Sequence, residues 1–177
     1  WTLFGTLAGM CNTQGMNLIL NVFFGSIANA AYSVSSQVYH AVSIFANNFY
    51  MAVKPPLIKN YTAGNYEYVQ KLLNFSSKTI FLLLFILVLP ILICTQEILQ
   101  LWLGQVTEYM VSFVKLSLIY TMILTVSYPI TAVVQAGGNV KIYHGIVDGF
   151  SLLALPIMYI LFRLGYEAFY AYIVSII

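Results

Sequence analysis

Charge is what this sequence has least of. Lys and Arg together number 7 and Asp and Glu 5 in 177 residues, so charged side chains make up 7% of the chain, against about 25% in an ordinary soluble domain. A soluble chain of this length can build one sizeable core, but it needs a polar shell to cover it. The material for that shell is missing. The shortage is also uneven, because no charged residue precedes Lys54. An uncharged apolar stretch of that length is enough for two passes through a hydrocarbon layer roughly 30 Å thick, at about 1.5 Å of helical rise per residue. Also absent are a phosphate-cradling glycine loop, a nucleophile elbow, a dinucleotide fingerprint and any metal-ligand cluster. These absences remove soluble-type enzyme chemistry, and no cofactor, metal or nucleic-acid partner is expected. A secretory leader pattern is missing too. The chain opens at Trp1 without an initiator Met and stops at Ile177 inside an apolar run, and both ends read as cuts.

What is present is apolar. The hydrophobic fraction is 61% and the mean hydropathy +0.89, which predicts an all-α, polytopic helical bundle in a membrane. Breaker residues divide it into six spans, the last truncated. Span A covers about 3–24 and closes on the uncharged turn Gly25-Ser26-Ile27-Ala28-Asn29, where glycine tolerates a reversal. Span B covers about 30–53, and Lys54-Pro55-Pro56 is expected to stop it, since consecutive prolines cannot extend a helix. Span C covers about 77–94, span D about 109–135, span E about 142–164 and span F about 168–177. Prolines 90, 129 and 156 fall inside C, D and E, where neighbouring helices can satisfy the freed carbonyls. Gly137-Gly138-Asn139 separates D from E. The whole of 1–177 reads as a single membrane domain.

The loops alternate in charge. Lys54, Lys59, Lys71 and Lys78 cluster between B and C against Glu67 alone, and Lys141 follows the D–E turn. Glu97 and Glu108 lie between C and D with no basic residue. Arg163 and Glu167 sit at the far end of E. The positive-inside rule then places the B–C and D–E connections in the cytoplasm. Cys11 falls in the cytoplasmic half of A and Cys94 near the outer end of C, too far apart to bridge. Two shorter pieces fit this topology. Residues 65–76 read as an amphipathic helix on the cytoplasmic surface, with Tyr66, Val69, Leu72 and Leu73 on one side and a Glu67–Lys71 pair at i,i+4 on the other. EILQLWLG (97–104) sets Trp102 at the opposite interface. For both, the plain reading is anchoring.

Polar residues recur at helical spacing inside the spans: Gln14, Asn17 and Asn21 in A; Ser33, Ser36, Gln37, His40, Ser43 and Asn47 in B; Ser117, Thr121, Thr125, Tyr128 and Gln135 in D; His144, Asp148, Ser151 and Tyr159 in E. Intramembrane polar groups are costly and turn toward protein or water. Two readings stand: the stripes line a shared hydrated cavity, or they hydrogen-bond helix to helix. His40 either contacts a sugar or titrates, or is a satisfied neutral histidine. His144 and Asp148, four residues apart, form either an ion-coupling site or a buried pair. Lys115, about 10 Å into span D, either meets a phosphate or snorkels to the interface.

Four passages carry a family resemblance: NLILNVFFG (17–25), KPPLIKNYTAGNY (54–66), EILQLWLG (97–104) and QAGGNVKIY (135–143). Their order resembles the C-terminal lobe of the Wzx-like polysaccharide flippases, a branch of the multidrug/oligosaccharidyl-lipid/polysaccharide exporter superfamily. The likeness covers essentially the whole chain. It implies half of a two-lobed, alternating-access transporter of the bacterial inner membrane, one that moves undecaprenyl-pyrophosphate-linked oligosaccharide units for polysaccharide or lipopolysaccharide biosynthesis and is not an enzyme. The implied partners are the bilayer, the lipid-linked oligosaccharide, the N-terminal lobe of the same chain and a polymerase or glycosyltransferase complex. Gln14, Asn17, Asn21, Ser33, Gln37, His40, Asn47, Thr121 and Gln135 are then the candidate cavity-lining residues, Lys115 the candidate phosphate contact, and His144 with Asp148 the candidate coupling pair. A Na⁺- or H⁺-coupled drug or metabolite antiporter of the same superfamily, and a non-transporting membrane scaffold, are the alternatives.

Overall fold

In the computed structural model the described residues are 2–138 and 140–176. They fold into α1 (Thr2–Thr62), α2 (Tyr66–Ile93), α3 (Thr95–Leu103), α4 (Glu108–Val126), α5 (Tyr128–Ala136), α6 (Val140–Arg163) and α7 (Tyr170–Ile176), with no strand among them. Four helical stretches are long and apolar enough to cross a membrane: α1, α2, α4 with α5 taken together, and α6. Their outer surface is greasy. Val22, Ile86, Ile93 and Phe150 are each at least 70% exposed, and a surface that exposes so many large apolar side chains suits hydrocarbon better than water.

Only Gly25 interrupts α1, with φ 75° and ψ −171°, a region essentially reserved for glycine. This single residue reverses the chain. The first segment of α1 runs in the same direction as α6: Gly5 lies beside His144 and Asp148, Gly15 beside Leu155, and the Phe23 ring meets Tyr159 edge-on and Phe162 at a tilt. The second segment runs with α4 and α5, since Tyr39 meets Tyr120 and Tyr50 meets Tyr128. Thr131 and Tyr143 share a hydroxyl bond of 3.1 Å across the turn between α5 and α6, so α6 returns antiparallel to α5. The two segments of α1 therefore oppose each other. The reversal falls where the sequence puts it, but it takes one residue: residues 26–29 are already helical.

Three boundaries differ from expectation. The helix does not stop at 53 but continues through Pro55 and Pro56 to Thr62. Proline's fixed φ near −65° suits a helix, and its cost lies in the missing N–H and the crowded carbonyl four residues back. Those carbonyls belong to Met51 and Ala52, both exposed. Beyond the prolines, fully buried Leu57 locks onto Val69 and Ala132, and Asn60 donates its side-chain amide to the Pro56 carbonyl at 2.9 Å. The amphipathic piece at 65–76 is likewise not separate, because α2 runs unbroken from Tyr66 to Ile93. No Gly or Pro lies between 66 and 89; Ser76 donates back to the Leu72 carbonyl at 2.6 Å and Thr79 to that of Phe75 at 2.7 Å, while Ser77 donates across to the Val126 carbonyl at 3.1 Å. Finally, the expected span 109–135 is divided at Ser127 into α4 and α5. Pro129 has no N–H to return to Thr125, and Ser127 turns its hydroxyl onto the Leu124 carbonyl at 2.6 Å.

Two apolar clusters fill the bundle. One joins Met16, Leu20 and Ala31 of α1 to Phe113, Met158, Phe162 and Tyr172. The other joins Val34, Val42 and Ala46 to Ile80, Leu84, Val88, Val114 and Leu118. A third, smaller cluster around Leu57 closes the end where Lys54, Lys59 and Lys71 lie. At that end the Tyr61 ring rests against Gly137, where a Cβ would come within 3.0 Å of the hydroxyl. Gly138 turns the chain with φ 76°; Asn139, named with it as the breaker, lies outside the described residues.

Candidate functional site

The long polar stripe of the second α1 segment is on the outside. Ser33, Gln37, His40 and Asn47 are all exposed, while Val34, Ser35, Val42 and Ala46 one step round the helix are buried against α2, α4 and α7. Steps of four, three and seven residues keep these four within one arc. They form a row of uncharged hydrogen-bonding groups on an otherwise apolar helix, turned away from the packed core. Ser33 partly satisfies itself, donating to the Asn29 carbonyl at 3.0 Å. The His40 ring meets Tyr39 edge-on at 5.0 Å. In the first segment Gln14 and Asn21 are also exposed, and Asn17 holds a buried side-chain oxygen with no partner.

The stripe on α4 is different. Ser117, Thr121 and Thr125 are fully buried, and each hydroxyl donates into its own helix: Ser117 to Val114 at 2.8 Å, Thr121 to Ser117 at 2.7 Å, Thr125 to Thr121 at 2.8 Å. Thr121, expected on a cavity wall, is sealed in the core with its proton already spent. The stripe there marks the face that packs on α1. Gln135 is half-buried near the end of α5, and Lys115 is exposed, one residue beyond buried Val114 and off the Ser117–Thr125 face.

A second polar group occupies the seam between α6 and the first α1 segment. His144 Nδ1 and Asp148 Oδ2 are 2.9 Å apart, with side chains 15% and 19% exposed. Gly5 makes their space, since a Cβ there would stand 2.6 Å from Asp148 Oδ2. Two turns further along the seam, the Asn12 amide donates to both the hydroxyl and the carbonyl oxygen of Ser151, at 2.7 and 3.0 Å. The arc read on α6 is thus the face that meets α1. Asn12 was not among the sequence candidates. Its signal was the small-residue spacing Gly5, Ala8, Asn12, Gly15, which lets two helices approach closely enough for a short amide to reach across.

Also missed was a run of tyrosines between α1, α4 and α7. Tyr32 and Phe113 both pack on Tyr172, whose hydroxyl shares a 2.6 Å bond with that of fully buried Ser35. Aromatic residues scattered at i, i+7 carry no polar period in the sequence, so nothing marked them. Two grooves, of about 480 and 310 Å³, lie against α2, one toward α4 and one toward α1; apart from Ser77 and Lys78 their linings are apolar, which suits hydrocarbon chains rather than sugars. No group of three or more His, Cys, Asp or Glu side chains could hold a metal among the described residues.

The chain matches no family model, no curated protein and no solved structure.

Proposed function

We propose that this chain forms one lobe of a membrane transporter that moves lipid-linked oligosaccharide units across a bacterial inner membrane by alternating access. The observation that carries the reading is the exposed row Ser33, Gln37, His40 and Asn47 on a helix apolar enough to enter a bilayer. Hydrocarbon gives such groups no partners, and each unpaired one is costly there. A hydrated cavity between this lobe and a second one removes that cost, and a sugar headgroup offers the hydroxyl and amide partners this row requires. The polyprenyl tail needs no polar partner and stays at the lipid-facing gap. With α1 reversed at Gly25 and α4 joined to α5, α1 to α6 supply five passes and α7 begins the sixth. Lys54, Lys59, Lys71, Lys78 and Lys141 then face the cytoplasm. A polymerase or glycosyltransferase is the expected neighbour in the membrane.

A second reading, an ion-coupled antiporter for a small solute, draws on the His144–Asp148 pair. One experiment separates the two. The full-length protein in vesicles should flip a labelled lipid-linked oligosaccharide, and single cysteines at 33, 37, 40 and 47 should react with a water-soluble maleimide in at least one state of the cycle. Positions sealed in every state, or efflux of small cations without flipping, would overturn the flippase reading.

A further inference from the structure

Among the described residues one place holds an acid and a base together inside helix packing. Lys71 and Glu67, paired on α2, have side chains 75% and 81% exposed, whereas His144 and Asp148 are closed into the α1–α6 seam. We propose that this pair is a proton-carrying site whose charge state sets whether the seam between α6 and the first segment of α1 is closed or open. The inference rests on the transport reading above and adds the identity and the seat of the coupling ion.

The geometry carries it in three steps. First, the 2.9 Å contact engages His144 Nδ1 with Asp148 Oδ2. A neutral imidazole therefore presents Nδ1–H to the carboxylate and keeps its lone pair on Nε2. Second, that Nε2 is buried and has no partner. Without a proton on Nε2 the pair carries a single net negative charge. Adding one proton forms an N–H bond at Nε2 and turns the pair into an imidazolium–carboxylate couple with no net charge. Nothing else is made or broken, and release to water reverses the step. Third, a hard metal cation fits poorly, because such ions gather several oxygen ligands and Oδ2 is already committed to the ring.

Few ionisable groups surround the pair. Cys11 is the one ionisable side chain on residues 2–24 of α1, Tyr128 the one on α5, and α7 brings Tyr170 and Tyr172 near the far end of α6. None of these is a Lys, Arg, Asp or Glu. On α6 itself Tyr143 packs edge-on against His144 at 5.5 Å, and Lys141 supplies the nearest formal charge in sequence. A net charge is expensive inside a membrane bundle, so the deprotonated pair favours a hydrated, parted seam and the protonated pair the closed one. Gly5 sits directly over the pair, and the Asn12–Ser151 bonds close the seam two turns away. Water reaches Nε2 only when α1 moves off α6. Proton exchange and seam opening are then one event.

The test uses the full-length protein in proteoliposomes, with Cys11 and Cys94 replaced by Ser and a reporter Ala8→Cys, between Gly5 and Asn12 on the seam face. Maleimide labelling of the reporter, divided at each pH by the labelling of a small free thiol to remove the thiolate's own pH dependence, should be about tenfold faster at about pH 8 than at about pH 5.5, an ordinary coupling strength. Asp148→Asn and His144→Gln should abolish that pH dependence. In the same vesicles a pH gradient, with the membrane potential clamped, should accelerate movement of labelled lipid-linked oligosaccharide, and Asp148→Asn should bring the ratio of gradient-driven to gradient-free rates to one. Labelling that ignores pH in the parent, or an Asp148→Asn protein that still responds to the gradient, overturns the proton site. A parent that moves no substrate overturns the transport reading instead, and the labelling arm then decides the proton site alone.

Discussion

Replacing Gly5 by Ala should destabilise the protein only while the His144–Asp148 pair is intact. A Cβ at position 5 would lie 2.6 Å from Asp148 Oδ2 and 2.9 Å from His144 Nδ1, whereas ordinary contact begins near 3.4 Å. The pair must therefore retreat by roughly 0.8 Å, enough to break a hydrogen bond of normal length. Losing a bond to a charged partner costs about 1.5–3 kcal/mol. Against this, Ala in a helix interior is favoured over Gly by about 1 kcal/mol. The net cost of Gly5→Ala should be about 0.5–2 kcal/mol in the parent protein. In a His144→Ala/Asp148→Ala background the obstacle is gone and the same change should stabilise by about 1 kcal/mol. The coupling between the sites is then about 1.5–3 kcal/mol, read from a double-mutant cycle. Reversible unfolding of the full chain in mixed micelles, followed by far-UV circular dichroism, provides the four stabilities. Equal effects of Gly5→Ala in the two backgrounds, within about 0.5 kcal/mol, would refute the placement of Gly5 against the pair.

Gly25→Ala should cost about 1–3 kcal/mol, because φ 75° with ψ −171° is a glycine conformation and open space around the site offers no compensating contact; the same micelle unfolding measures it, and an unchanged stability would show that the reversal lies elsewhere. Thr121→Val should leave oligosaccharide flipping unchanged and shift stability by less than about 1 kcal/mol, the scale of one hydrogen bond within a membrane bundle, since its hydroxyl serves only the Ser117 carbonyl; loss of flipping at normal expression would mean that this face opens to the cavity.

How far the sequence could be read depended on whether a feature was local. The reversal at Gly25 was legible because only one residue type accepts that backbone geometry, and the arc His144, Asp148, Ser151 was legible because helical periodicity puts those residues on one face whatever they meet. The double proline misled for a physical reason. Proline's penalty is a sum over its lost N–H, its crowding and its neighbours, and at 55 and 56 it is offset by Leu57 docking on Val69 and Ala132, residues 12 and 75 positions away in sequence. The join between the amphipathic piece at 65–76 and the span that follows it was hidden in another way. A hydroxyl can either leave the helix or fold back onto it, and the 2.6 Å return of Ser76 to Leu72 is a choice that composition does not reveal.

The polar stripes show the same division at the level of the site. Spacing puts Ser33, Gln37, His40 and Asn47 on one arc as surely as it puts Ser117, Thr121 and Thr125 on another, yet the first arc is exposed and the second is fully buried. Periodicity tells which residues share a face; it is silent on what that face meets. The decisive difference is size and branching. Asn, Gln and His carry more polar atoms than their own backbone can absorb, so burying them demands a partner on another element. Ser and Thr have one hydroxyl, which a carbonyl three or four residues back can satisfy at no interhelical cost. Where a membrane helix mixes both kinds, the amide and imidazole positions are the ones that require water or ligand. By that criterion Gln37, His40 and Asn47 outrank the hydroxyl positions as sugar contacts, and Asn12, already spent on Ser151 at 2.7 Å, belongs to the seam rather than to the cavity.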